Sequence, residues 1–381
     1  MTDKTLKGVF SEIKTIPPVL QNSYYPSLDG LRGIAIIMVV FFHLNLTSVF
    51  FYHIVFNGEL GVLIFFVLSG FLITTLCIKE KVITNNISLK NFYIRRTLRI
   101  FPVAYLFILV LIVLNIVYKL HINYINILGA ALYLMNFSSY FRKYNFAFQT
   151  AHYWSLSVEE QFYLIVPFIL KKNFTVYLII ILCVVFVLPL LITLQYFYIF
   201  LNNWVFTAFT HYLVKFQAIA VGCLFSVLTF KYPFNNINIK TKVVANILAI
   251  GIILYIQYDN FFSLKSVFSS LLISLLVGYI IITNIIPGKD FIFKILNAGF
   301  LKTIGTLSYS IYIWQQLFTF YDKRLPVVMV TFPFNIVSLI IVSCLSYYFY
   351  ESFFLRLKSK FSKIKKGRPV VALDGPSVKI H

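Results

Sequence analysis

Charge is scarce in this chain, and negative charge most of all. Only 12% of its 381 residues are charged, and 12 acids stand against 33 basic residues. A soluble globular domain carries about 25% charged residues, so a water-facing fold of this length is excluded. Cysteine is equally rare. Cys77, Cys183, Cys223 and Cys344 fall in or beside apolar runs without metal-ligand spacing, and they read as small core residues. No small-residue cleavage site follows the first apolar run, which therefore reads as an uncleaved anchor. Neither an internal repeat nor a low-complexity domain stands out.

What is present is apolar: 60% of the residues are hydrophobic and 19% aromatic. Windows of about 20 apolar residues occur near 34–52, 60–78, 100–118, 152–170, 174–200, 204–229, 243–258, 264–286, 303–321 and 330–350. The shorter piece 125–137 suits a re-entrant or interfacial segment better than a crossing. With that piece non-crossing and the N-terminus inside, nearly all Lys and Arg fall on the cytoplasmic side. Lys119, Arg142, Lys143, Lys265, Lys323 and Arg324 fall outside, and Lys215 lies within a span. The expected fold is thus an all-α polytopic bundle of about ten transmembrane helices plus that short segment, both termini cytoplasmic. The net charge of +21 then reflects loop placement against a bilayer and not nucleic-acid binding. The external loops are short, so no appended soluble catalytic domain is expected. The basic tail 356–381 would lie against anionic lipid.

Polar residues inside these spans are costly and mark function by default. In "LDGLRGIAIIMVVFFHLNL", Asp29 and Arg32 stand at one end and His43 lies within. Arg32 and His43 are 11 residues apart, about 20° from three full helical turns, so they share a face roughly 16 Å apart along the axis. His43 would lie roughly 13 Å deep; the plainer reading is a neutral imidazole bonded to a neighbouring helix. In "AHYWSLSVEEQFYLIVP", His152, Ser155 and Glu159 follow i, i+3, i+7 spacing. Ser157 to Glu160 also matches a capping box, with Glu160 reaching back to the helix start; in that case the shared face with His152 is lost. In "FYIRRTLRIFPVAY", Arg96 and Arg99 are one turn apart and can converge on one anion, although Arg95, Arg96 and Arg99 also suit ordinary cytoplasmic anchoring.

Weaker signals follow. His211 and Lys215 share a face, and Lys215 needs water, a carbonyl or an acid. "VLSGF", with Ser69 and Gly70, reads as close helix packing by small residues. Ser308, Tyr309, Tyr312, Trp314 and Gln315 suit a cavity wall, and Glu351 can simply pair with Arg356.

Taken together, "LDGLRGIAIIMVVFFH", "GVLIFFVLSGFLIT", "RRTLRIFPVAY", "HYWSLSVEEQFYLIVP", "IGTLSYSIYIW" and the acid after "YYFY" resemble the acyltransferase-3 family of integral membrane acyltransferases. They run in that family's order from about residue 25 to 355. Two departures are visible: Trp314-Gln315 stands where many members have Trp-His, and Glu351 is followed by Ser-Phe-Phe instead of x-Pro.

The resemblance implies O-acyl transfer, usually of acetyl from cytosolic acetyl-CoA, to a hydroxyl of a cell-envelope or exported glycan or glycolipid. It implies 1–27 as a cytoplasmic segment, 28–355 as a membrane acyltransferase domain in the cytoplasmic membrane, and 356–381 as the tail. The family's Arg-x10-His pair falls on Arg32 and His43, its Arg-x-x-Arg motif on Arg96 and Arg99, and its acid on Glu351. The expected layout has Arg32, Arg96 and Arg99 holding the acyl-CoA and His43 acting as general base or acyl carrier. Glu159 or another acid fixes its tautomer. Asp29, Ser69, Glu160, Lys215, Ser308, Tyr309 and Glu351 have supporting roles. Acyl-CoA enters as co-substrate, and neither a permanent cofactor nor a metal is expected. A transporter or flippase of a lipid-linked saccharide is the rival class; its intramembrane His and Lys would relay protons.

Overall fold

The computed structural model describes residues 10–44, 46, 50–137, 147–197, 210, 212–232, 238–258 and 267–361. Lys4, Lys7, Arg142, Lys143, His211, Lys265 and the tail from 362 lie outside the described residues. Among those described there is no strand.

Ten helices carry the architecture. They are α1 (Pro26–Leu44), α2 (Gly58–Thr84), α3 (Leu89–Val117), α4 (Tyr153–Lys172) and α5 (Phe174–Leu182, continued through a π-turn, Cys183–Val187, into Leu188–Phe197). The remainder are α6 (Gln217–Lys231), α7 (Ile239–Tyr258), α8 (Val267–Asn284), α9 (Gly299–Thr319) and α10 (Phe334–Leu345, continued through the π-turn Ser346–Glu351 into Ser352–Ser359). By length and apolarity, six helical stretches suffice to cross a membrane: α1, α2, α3, Phe174–Leu194 of α5, α7 and Phe334–Ser359. Two shorter apolar helices, Gln217–Lys231 and Phe268–Asn284, accompany them. Helices α4 and α9 are long enough, but Ser155, Glu159, Glu160 and Gln161 on one, and Ser308, Ser310, Gln315 and Gln316 on the other, make them more polar.

The segment expected at 125–137 is an eight-residue helix, Tyr124–Ala131, followed by a 3-10 turn, Met135–Phe137. Eight residues rise about 12 Å, well short of a hydrocarbon core of about 30 Å. The first helix differs from its expected bounds of 34–52. It starts eight residues earlier because Pro26 suits a first helical position and because Arg32 pairs with Asp29 one turn below (3.0 Å). It stops at Leu44, and a separate short helix follows at Phe50–Val55.

Glycines bring the inner helices to backbone contact. A methyl on Gly30 or Gly33 of α1 would overlap the carbonyls of Leu296 and Leu301, and one on Gly305 of α9 would overlap Asp29 O. Gly70 of α2 and Gly222 of α6 face each other's helix in the same way, through Ile219 O and Val67 O, and Gly61 of α2 packs on Ala35 O of α1. The close packing read from "VLSGF" is therefore seated on Gly70. Outward faces are apolar and exposed: Leu109, Val113 and Ile116 on α3, Ile247 and Leu248 on α7, Ile340 and Phe349 on α10. Exposed apolar surface on this scale suits lipid and not water.

Candidate functional site

Helices α1, α2, α3, α4 and α9 enclose a small polar cavity of about 90 Å³. Arg32, Ser69, Arg96, Arg99, Glu159, Ser308 and Tyr309 all line it, so residues far apart in the sequence meet at one place. Helical geometry selects them. Arg96 and Arg99 are one turn apart and turn inward, whereas Arg95, rotated by about 100°, leaves the cavity. It pairs with Glu80 of α2 (3.0 Å) and donates to Phe361 O (2.9 Å), tying helix ends together. Arg96 lies over the Tyr163 ring at 4.9 Å and the Phe92 ring at 5.8 Å, which fixes the plane of its guanidinium. Ser69 Oγ donates to Glu159 Oε1 at 2.6 Å, and Tyr309 OH donates to Ile100 O at 2.5 Å.

Three guanidiniums thus face Glu159, with Asp29 pairing Arg32 from beside the cavity. Three positive charges against two negative ones leave the region net cationic, which favours an anionic ligand. Ser155 and Tyr312 continue the lining; one of their hydroxyls donates to the other at 2.5 Å, and each lies 3.2 Å from His152 O, which accepts from the remaining proton. His152 is buried, with no hydrogen-bond partner on either ring nitrogen, and its ring packs edge-on to Phe107 at 5.1 Å.

His43 lies near the opposite end of α1 from Arg32 and does not line this cavity. Its Nδ1 is 2.8 Å from Val39 O, one turn back on the same helix. A carbonyl only accepts, so this contact requires a proton on Nδ1; in the neutral imidazole Nε2 then carries the lone pair. The ring is held by Val39 and not, as expected, by Glu159, whose bond goes to Ser69. Phe148 meets the His43 ring edge-on at 6.2 Å.

Other expected residues stand apart. Helix α4 begins at Tyr153, so the capping box at Ser157–Glu160 does not form: Ser157 Oγ donates to Tyr153 O (2.7 Å) and accepts from Met135 N (3.2 Å). Glu160 Oε1 is buried without a partner, outside the cavity lining. Lys215 finds its carbonyl on Asn136, beside a Gln161–Asn136 pair (2.7 Å), and it braces the turn at Met135–Phe137. Glu351 is buried and accepts from Ser310 Oγ at 2.7 Å instead of simply pairing with Arg356; it fastens α10 to α9 without lining the cavity. Tyr163, four residues after Glu159 and hence on its face, is a cavity residue for which that spacing is the one sequence signal. Among the described residues, no group of three or more His, Cys, Asp or Glu side chains could hold a metal ion.

The family model of the type-3 acyltransferase domain matches residues 25–351. The chain is 30% identical over 390 residues to the peptidoglycan O-acetyltransferase OatA of Listeria monocytogenes serovar 1/2a (strain EGD-e), covering 92% of this chain and 60% of that protein. It is 30% identical over 363 residues to a Staphylococcus aureus (strain COL) protein carried under a provisional O-acetyltransferase name (86% and 57%). It is 28% identical over 330 residues to the O-acetyltransferase OatA of S. aureus NCTC 8325 (80% and 52%). The chain spans a little over half the length of these relatives. No solved structure matches it.

Proposed function

The chain belongs to the acyltransferase-3 family, and on that footing we propose that it is a membrane O-acetyltransferase. It moves acetyl from cytosolic acetyl-CoA to a hydroxyl of a cell-envelope or exported glycan or glycolipid, a peptidoglycan sugar being one acceptor of the kind named for its Listeria relative. The reading includes ten crossings of the cytoplasmic membrane, a membrane domain at 28–355, and cytoplasmic segments at 1–27 and 356–381. The observation that carries it is the convergence of Arg32, Arg96 and Arg99 on one cavity, at the end of α1 opposite to His43.

In this mechanism Arg96 and Arg99 hold donor phosphates at the cytoplasmic mouth, since guanidinium forks pair with phosphate oxygens. At about 90 Å³ the cavity takes a phosphate group and not the whole nucleotide, and the pantetheine arm carries the thioester on along α1 towards His43. His43 Nε2, unprotonated while Nδ1–H is held by Val39, takes the proton of the acceptor hydroxyl. That oxygen bonds to the thioester carbonyl carbon, the C–S bond breaks, and the proton passes to the departing CoA thiolate. Tyr312 and Ser155 line the way between cavity and base. Glu159 offsets the arginine charges while the cavity holds no donor.

His43→Ala tests the assignment in membranes supplied with labelled acetyl-CoA. Glycan labelling should fall about 10²–10⁴-fold, the usual contribution of a general base, while stabilisation of the purified protein by CoA persists. Wild-type labelling by the variant would refute the role of His43. Absence of any thermal shift with CoA on the wild-type protein would favour a transporter.

A further inference from the structure

A second cavity opens at the other end of the bundle from Arg96 and Arg99. It measures about 560 Å³ and is lined by residues 120–122, 147–149 and 320–324, where the chain leaves α3, approaches α4 and leaves α9. Its volume lies in the range of about 300–1,000 Å³ common to small-molecule sites. Nothing in the reaction described above uses it.

Its floor is aromatic. Phe148 stacks on Phe320, with centroids 4.6 Å apart and planes at 24°, and the same Phe148 meets the His43 ring. The pocket and the proposed base therefore share one side chain. Its rim is polar and pre-arranged. Asp322 accepts from Arg324 Nη2 (2.6 Å), Nε (2.8 Å) and backbone N (3.0 Å), and Arg324 Nη1 donates to Lys119 O (3.0 Å). That pair neutralises itself, and His121 and Lys323 of the same lining add further donors. Gln316 lies one helical turn before Phe320. It is 1% exposed, and both of its amide atoms are without a partner, a costly state in a bilayer.

We infer that this pocket binds a saccharide ring of the acceptor. The apolar C–H face of the ring lies on Phe148, its hydroxyls bond the Asp322–Arg324 rim, and one hydroxyl is turned down towards His43 and Gln316. An aromatic floor under a self-neutralised polar rim fits a sugar. A phosphate would meet Lys323 alone beyond the Asp322–Arg324 pair, and a lipid chain would leave the polar rim against apolar atoms. The word "acceptor" rests on the acyltransferase reading; the sugar site itself does not.

The experiment is saturation-transfer NMR on the full chain in nanodiscs without acetyl-CoA. The probes are methyl glycosides of a neutral hexose, an N-acetylhexosamine and a uronic acid, together with the N-acetylglucosamine trisaccharide. At least one should show transfer to its ring C–H protons, weaker by about five-fold in Phe148→Ala and retained in Phe148→Tyr. Absence of transfer to all probes, or equal transfer in wild type and Phe148→Ala, would overturn the inference. Acetyl transfer from labelled acetyl-CoA is measured on the same preparations. Sugar binding without any transfer removes the acyltransferase reading and leaves the site. Transfer without Phe148-dependent binding does the reverse.

Discussion

Arg95 and Arg96 are neighbours in sequence with opposite assignments: one fastens helix ends through Glu80, and the other stacks on Tyr163 inside the cavity. The difference is one step of helical rotation, which makes the two separable by mutation. Arg96→Lys keeps the charge but loses the fork and the flat stacking surface. It should raise the KM for acetyl-CoA about ten-fold, equivalent to roughly 1.4 kcal/mol, whereas Arg95→Lys should leave KM unchanged and lower Tm. A second residue-scale expectation concerns pH. The side-chain hydrogen bond from Arg324 holds the Asp322 carboxyl below its ordinary value, against the opposing effect of burial. A depressed carboxyl contributes stability that is complete above its unfolded pKa of about 3.9 and is lost as pH falls through the lower folded value. Asp322→Asn should therefore lower Tm at neutral pH and flatten its decline below about pH 4. The effect stays within about 1 kcal/mol because Arg324 is well exposed. At this scale the sequence identifies which residues are unusual, not whom they meet. Ser69 and Glu159 lie 90 positions apart, and no local pattern links them.

Helices were more legible than their ends. Apolar runs and the "VLSGF" glycine forecast long helices and one close crossing, because both depend on local composition. The start of α4 was ambiguous for a physical reason: Ser157 satisfies a tertiary donor, Met135 N, in place of its own helix start. The crossings themselves give a sharp expectation. Gly222→Ala drives a methyl into Val67 O of α2, so the helices must separate; overpacking costs about 1–3 kcal/mol, read as a fall in Tm of the detergent-solubilised protein. Gly251→Ala on α7, where a methyl meets nothing within 4 Å, should be neutral or slightly stabilising through helix propensity. Equal destabilisation by both would mean that propensity, not contact, sets the effect.

Across the whole molecule, basic-residue placement read from the sequence supplies an orientation that can be tested directly. Lys323→Cys should react with an impermeant maleimide in intact cells, while Lys171→Cys should react only after permeabilisation. The reverse pattern would turn the proposed reaction path around. The pairing of Arg96 with Arg99 was legible from their spacing and the grouping with Arg32 from the family resemblance; that Ser69 and Glu159 meet them in one cavity is shown by the fold alone.

Glycine contacts are unevenly shared among the helices that form the cavity and the α6 helix behind them. Helices α1, α2, α6 and α9 touch backbone to backbone, which permits neither sliding nor rotation without a clash. Helices α3 and α4 join them through side-chain bonds such as Tyr309 to Ile100 O and Ser69 to Glu159. The half that bears Arg32 is thus held by backbone contact, and the half that bears Arg96, Arg99 and Glu159 by side-chain bonds. If the proposed donor needs more room than about 90 Å³, the side-chain-bonded α3–α4 jaw is the part that can yield, against an anvil of packed backbone.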